Sequence, residues 1–177
     1  MKKLCTLLAL SAVCIAAVAD SPRPEETEVW EPVPKRVAPG TKPSDPPADA
    51  IVLFDGKSVN GWESVDGGPA KWIAANGALT VAPGTGDIRT EEKFGDVQLH
   101  IEWRTPQLPP EKTGQDRGNS GVFLQERYEV QILDTLENRT YSNGQAGSIY
   151  KQYIPLVNAA RPAGEWQSYD IVFIAPR

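Results

Sequence analysis

Packed antiparallel β-sheets with no helical layer are what this chain predicts, and three observations carry the prediction. Apolar and polar residues alternate with period two through several short segments, the pattern of half-buried strands. The 16 Pro and 15 Gly among 177 residues supply the many turns that short strands need. After residue 19, no stretch of useful length repeats its apolar residues at helical spacing.

Two segments of different character precede the domain. Lys2 and Lys3 lead into an apolar run over residues 4–18, and Ala17, Val18 and Ala19 offer a small-x-small cleavage pattern. Residues 1–19 are therefore expected to be a signal peptide, with an exported mature chain starting near Asp20. With those flanks the run is too short for a membrane span. Both cysteines, Cys5 and Cys14, lie inside it, so the exported domain is expected to hold together without disulfides. Lipid attachment at Cys14 is the weaker reading, because Val13 is larger than the small residue such sites place there. Residues 20–50 are Pro-rich and charged, which excludes helix and interior strand and leaves a linker or surface arm. Trp30 is unusual in a spacer and reads either as a chance aromatic or as a docking anchor.

The domain is expected over residues 51–177. Residues 51–54 (IVLF) form a short apolar strand, followed by a turn at Asp55-Gly56-Lys57. Asn76-Gly77, between Lys71-Trp72-Ile73-Ala74 and Ala78-Leu79-Thr80-Val81, is the strongest short hairpin signal in the chain. Residues 97–104 are the clearest strand: Val97, Leu99, Ile101 and Trp103 point one way, and Gln98, His100, Glu102 and Arg104 the other. Residues 106–118 are a polar, Pro-rich loop long enough to border a site. Residues 147–153 and 168–175 are further strand candidates. The second of these has no strand after it to pair with, an aggregation hazard for an apolar strand.

Residues 118–134 (GNSGVFLQERYEVQILD) carry the most information. A glycine turn with Asn119 and Ser120 leads into an apolar run. Residues 128–134 then alternate Tyr128, Val130 and Ile132 with Glu129 and Gln131, which puts a carboxylate and an amide side by side on the face away from the core. Polar-ligand sites need such a pair, whereas buried sheet faces do not. Asp134 has the wrong parity for that face and reaches it only through a bulge or from the loop beyond.

A net charge of −5 with a single His argues against a nucleic-acid or membrane-surface partner. It leaves a small-molecule or oligosaccharide substrate. The single His makes a His-based metal site unexpected. No cofactor is expected, while calcium held by carboxylates and carbonyls stays open.

In this order, LFDGKSVNGWE, LHIEWR, GNSGVFL, YEVQILD, GSIYKQYIPLVNA and PAGEWQSYDIVF resemble the DUF1080 family, the 3-keto-disaccharide hydrolase domain, over residues 51–177. The resemblance implies a concanavalin-like jelly-roll sandwich, export, and cleavage of 3-keto-glycosides. It also implies an upstream sugar 3-dehydrogenase to make the ketone. Members of the family run on for several more strands after the segment ending at Arg177, so the sandwich is expected to be incomplete here.

A C3 ketone makes the sugar's C2 proton acidic. A base can remove that proton, the C1 substituent can leave, and water can then add. This route needs a base, an acid for the leaving oxygen and donors for the enolate oxygen. Glu129 and Glu102 are the candidate acid/base pair, with His100, Arg104, Asn119, Gln131, Asp134 and Tyr150 as substrate ligands. The assignment supposes that the polar faces of 97–104 and 128–134 line one concave sheet. Glu102 and Arg104 also describe a solvated ion pair worth less than about 1 kcal/mol, His100 a surface histidine, and Asn119 a turn residue. Trp62, Trp103 and Trp166 read more readily as core than as sugar platforms.

Two other functions stay open. Glu129-x-Gln131-x-x-Asp134 resembles the Glu-x-Asp-x-x-Glu spacing of family 16 glycosidases with two positions changed. Retaining hydrolysis needs two carboxyls about 5–5.5 Å apart, which those changes put in doubt. A lectin-like module that binds glycan without chemistry also fits a jelly roll.

Overall fold

The computed structural model describes residues 23–42 and 45–177. The expected signal peptide lies outside the described residues. The chain divides into two compact units between Val52 and Leu53. In the first, a 3-10 turn, Pro24–Thr27, starts on a proline, and the Trp30 indole N–H donates to Glu28. Among the described residues no helix is long and apolar enough to cross a membrane.

The second unit is all-β, with eight short strands: β1 Trp62–Ser64, β2 Ile73–Ala75, β3 Ala78–Thr80, β4 Ile88–Thr90, β5 Val97–Trp103, β6 Ser120–Leu124, β7 Tyr128–Ile132 and β8 Gln167–Phe173. They pair antiparallel as β1–β4, β2–β3, β5–β8 and β6–β7. The Asn-Gly signal holds: β2 and β3 are joined by Asn76 and Gly77, both with positive φ. The Asp55 turn holds too, its carboxylate accepting the backbone N–H groups of Lys57 and Ser58. Residues 51–54 form no strand. Residues 147–153 make only isolated bridges, Val130↔Ile149 and Ile149↔Tyr153. Residues 147–153 instead turn back on themselves, with the Gln152 and Tyr153 N–H groups both donating to the Ile149 carbonyl.

Residues 168–175 do find a partner. β8 pairs along its whole length with β5, from Val97↔Phe173 to Trp103↔Gln167. This register gathers Val97, Leu99, Ile101 and Trp103 with Tyr169, Ile171 and Phe173 on one face. That face packs against β7, where Tyr128 meets Phe173 at 5.9 Å between ring centroids; within the face, Trp103 and Tyr169 lie 5.0 Å apart. The Tyr169 hydroxyl donates to the Gln131 backbone carbonyl at 2.7 Å. Trp103, Val130, Ile132 and Leu133 are buried in this region. The two layers share a core through their apolar faces, so their polar faces point in opposite directions.

Candidate active site

The side of β7 turned away from the core is the place to look for chemistry. Glu129 lies opposite Phe123 on β6. On its other flank the Tyr150 N–H donates to the Glu129 carbonyl at 3.0 Å, and the neighbouring bridge Val130↔Ile149 sets Tyr150 directly across from Glu129, on the same face.

The Glu129 side chain folds over the backbone of Gly121. A Cβ at position 121 would lie 2.3 Å from Glu129 Oε1 and 2.8 Å from its Cγ, so glycine there makes room for the carboxylate. Among the described residues this carboxylate accepts no hydrogen bond and pairs with no cation. Burial pushes its pKa up, and the charge of Asp87, just before β4, pushes it further the same way. Asp87 is thus a second carboxylate whose charge acts on Glu129, one that neither alternation nor spacing pointed to.

Gln131 corrects the sequence expectation. It sits on the Glu129 face but is fully buried, because the 3-10 turn Gly114–Asp116 and residues 140–148 fold over that end of the strand. Its amide donates to Gln115 Oε1 at 3.2 Å and Asn119 Oδ1 at 3.0 Å. Gln115 in turn donates to Thr140 Oγ1 and the Gly144 carbonyl. Gln131 therefore lies beneath the surface and holds Asn119 from below. Asn119 is exposed and oriented by Gln131, which leaves it able to reach a ligand.

Asp134 also departs from expectation. It is buried, accepts from Arg117 Nε at 2.9 Å, and its carbonyl accepts from Asn138 at 2.8 Å. No bulge swings it towards Glu129: its parity holds, and its charge is taken by Arg117.

The supposed joint surface of the two polar faces is not formed. His100 pairs with Asp170 at 2.7 Å across the exposed outer face of β5–β8. Arg104 lies 4.8 Å from the ring centroid of Trp166 and forms no ion pair with Glu102. Glu102 stands opposite Ser168 on that outer face. The cause is pairing: β5 joins β8, not β6–β7, and β8 meets β7 from the apolar side of that pair. Trp103 is core as expected, Trp62 is half-buried with its indole donating to the Leu53 carbonyl, and Trp166 is exposed.

Glu102 does border a concavity of about 500 Å³, together with Trp103, Arg161, Trp166, Ser168 and Tyr169. Volume alone favours this cleft, and it excludes Glu129. Glu129 is the stronger candidate, because a partly buried carboxylate without a partner is the costlier arrangement to maintain. Around Glu129 the fold adds Tyr141, whose hydroxyl lies 2.5 Å from that of Tyr150, and Lys151, whose ammonium lies 3.8 Å from the centroid of the Tyr141 ring. Both stand in irregular segments where periodicity gives no signal. Among the described residues, no group of three or more His, Cys, Asp or Glu is arranged to hold a metal ion.

The strand layers and the carboxylate on an outer strand face define a β-sandwich of the jelly-roll class, of the kind found in glycosyl hydrolase-like proteins. The chain belongs to the 3-keto-alpha-glucoside-1,2-lyase-like domain family, whose profile matches residues 49–177. A relative from Bacteroides thetaiotaomicron named 3-keto-disaccharide hydrolase is 28% identical over 157 residues, covering 71% of this chain and 54% of its own length. This chain thus spans about half of that relative. A crystal structure of a candidate glycosyl hydrolase from Parabacteroides distasonis is 53% identical, with a TM-score of 0.81, over 88% of this chain and 67% of that one. A second from the same organism, 22% identical with a TM-score of 0.51 over 70% of this chain and 63% of that one, shares the fold.

Proposed function

We propose that this protein cleaves 3-keto-glycosides by proton abstraction at C2, with Glu129 as the proton-transfer group. The observation that carries the reading is the state of Glu129. It is a carboxylate laid over Gly121, without hydrogen-bond or ionic partner among the described residues, and its proton affinity is raised by burial and by Asp87. A base whose pKa is moved towards neutrality is better matched to carbon acids. Membership of a lyase-like family and a relative named for 3-keto-disaccharides support the substrate class.

In this scheme Glu129 takes the C2 proton, and the C–H electron pair forms the C2–C3 double bond as the ketone oxygen becomes an enolate. The enolate then collapses, forming the C1–C2 double bond and expelling the C1 oxygen, which leaves as an alcohol after receiving a proton. Addition of water, hydroxyl to C1 and hydrogen to C2, completes net hydrolysis. Asn119 and Tyr150 hydrogen-bond sugar hydroxyls, while Gln131 and Gln115 hold Asn119 in place. The sugar ketone is supplied by an oxidoreductase acting at C3, and the protein acts outside the cytoplasm after loss of its leader.

The test is Glu129→Gln, which keeps the shape of the side chain and removes its basicity. Turnover of a 3-keto-glucoside should fall by about 10²–10⁴-fold with much less change in binding. If more than about a third of the activity remains, well outside that range, the assignment is wrong and a lectin-like role gains.

A further inference from the structure

The face that presents Glu129 also presents a second, cationic group for which the proposed reaction has a use. Tyr150 is directly across from Glu129, and its hydroxyl is 2.5 Å from that of Tyr141. The two rings are tilted by 55° with centroids 6.2 Å apart. The Tyr141 ring lies on the backbone of Gly144, where a Cβ would come within 2.0 Å of Cε2, so the ring has one seat. The Lys151 ammonium stands 3.8 Å from the Tyr141 centroid and 5.7 Å from that of Tyr150.

Two features mark Lys151 as more than a surface lysine. Among the described residues it forms no ion pair, in a chain with an excess of carboxylates. Its backbone is left-handed, φ 62°, a conformation that costs a residue with a Cβ about 1 kcal/mol or more and persists where surrounding contacts impose it. The contacts are present: the Lys151 N–H donates to the Asn143 carbonyl at 2.8 Å, and the N–H groups of Gln152 and Tyr153 both donate to the Ile149 carbonyl. A turn held this tightly directs the side chain back over the two phenols.

We propose that Lys151, together with the Tyr150–Tyr141 hydroxyl pair, is the electrophilic half of the site and stabilises the oxygen that becomes the enolate when Glu129 removes the C2 proton. This rests on the reading of the substrate as a 3-keto-glycoside. A carboxylate base on one strand and an ammonium with a phenol on the segment paired to it would bracket the reacting carbons from two sides. Tyr150 stays protonated in this role. Its hydrogen bond with Tyr141, then burial, and further on the charge of Glu129, hold the Tyr150 pKa above its ordinary value, with Lys151 opposing. Tyr150 acts as a donor and does not compete with Glu129 as a base.

The experiment measures both turnover of a 3-keto-glucoside and exchange of its C2 hydrogen for solvent deuterium, followed by NMR, in the wild type, Lys151→Met, Lys151→Arg and Glu129→Gln. Lys151→Met should lower both rates by about 10²–10³-fold, the scale of removing one oxyanion donor, with little change in KM. Lys151→Arg should recover a substantial part of both, because charge is kept. Tyr150→Phe should lower exchange by a smaller factor. If Lys151→Met keeps wild-type exchange while Glu129→Gln abolishes it, the role given to Lys151 is overturned and the function stands. If Lys151→Met and Lys151→Arg are equally impaired and both lose their melting cooperativity, Lys151 only maintains the turn and the proposal fails. A wild type that neither turns over nor exchanges the 3-keto-glucoside overturns the parent reading, and this one with it.

Discussion

The β2–β3 and β6–β7 hairpins reverse direction through the same pair of left-handed residues, yet their sequences could hardly differ more. In β2–β3 the pair is Asn76 and Gly77, with φ 52° and 76°; in β6–β7 it is Gln125 and Glu126, with φ 54° and 53°. Asn and Gly adopt this conformation at little cost. Gln and Glu do not, and each adds about 1 kcal/mol of strain. The second turn is instead held from outside: Arg89 reaches Glu126 at 3.1 Å while also holding Glu63 at 2.8 Å, and the strands beyond are fixed by Gly121 beneath Glu129 and by the Gln131 amide network. One hairpin is written locally, the other is imposed by its surroundings, and the imposed one carries the candidate catalytic group.

The largest way to break the comparison is at Glu129. In addition to the loss of turnover, Glu129→Gln is expected to make the fold more stable at neutral pH, as measured by denaturant midpoint, since a carboxylate held without a partner is removed. No substitution in β2–β3 should combine a large loss of activity with a gain in stability. Next comes Gly121→Ala. The new methyl would occupy the position of the Glu129 carboxylate and force it aside, so turnover should fall by about 10–100-fold through misplacement of the base, while the melting temperature moves little.

Exchanging the turn residues sharpens the contrast. Asn76→Gln with Gly77→Glu should destabilise the protein by about 2 kcal/mol, from two strained residues without external support. Placing Asn and Gly at positions 125 and 126 relieves the same strain but loses the Arg89 contact, an exposed pair worth less than about 1 kcal/mol. A net gain of about 1 kcal/mol in urea unfolding is expected, and a loss would show that Arg89 outweighs the strain.

The smallest effect is the pH dependence. The Glu129 pKa in the folded state is raised above its unfolded value. The group's contribution to stability is therefore fully present below the unfolded pKa and lost as pH rises through the folded one. Wild type minus Glu129→Gln should show a stability difference that declines with rising pH above the ordinary glutamate range, and a rising difference would contradict the burial argument.

Legibility follows the same division. Where short-range chemistry decides, the sequence sufficed: the Asn76-Gly77 turn, the Asp55 turn, and the alternation of β5 and β7 could all be read residue by residue. It also placed Glu129 and Gln131 on one face. What it could not show was which strand joins which. Alternation says that Glu102 and Glu129 each face away from a core, but not that the faces are opposite, which depends on β5 choosing β8. Gln131 looked like a ligand-binding amide because its burial comes from a distant loop, and Asp134 because its partner Arg117 lies 17 residues earlier. Asp87, Tyr141 and Lys151 come from turns, where position in space has no periodic trace.

The pairing of β5 with β8 also sets an order of assembly. His100 and Asp170, facing each other in that ladder, are 70 residues apart in the chain, whereas β6 and β7 are joined by a three-residue connection. Closing a long loop costs entropy before any contact repays it, and non-local strand pairing is correspondingly slow. The β6–β7 pair closes a far shorter loop than the β5–β8 ribbon, which is expected to dock late, through Tyr169 and Phe173. Folding kinetics should report this directly, with substitutions in β6–β7 slowing folding and substitutions in β8 mainly accelerating unfolding. The candidate site would then gain the layer behind it only in the last steps of folding.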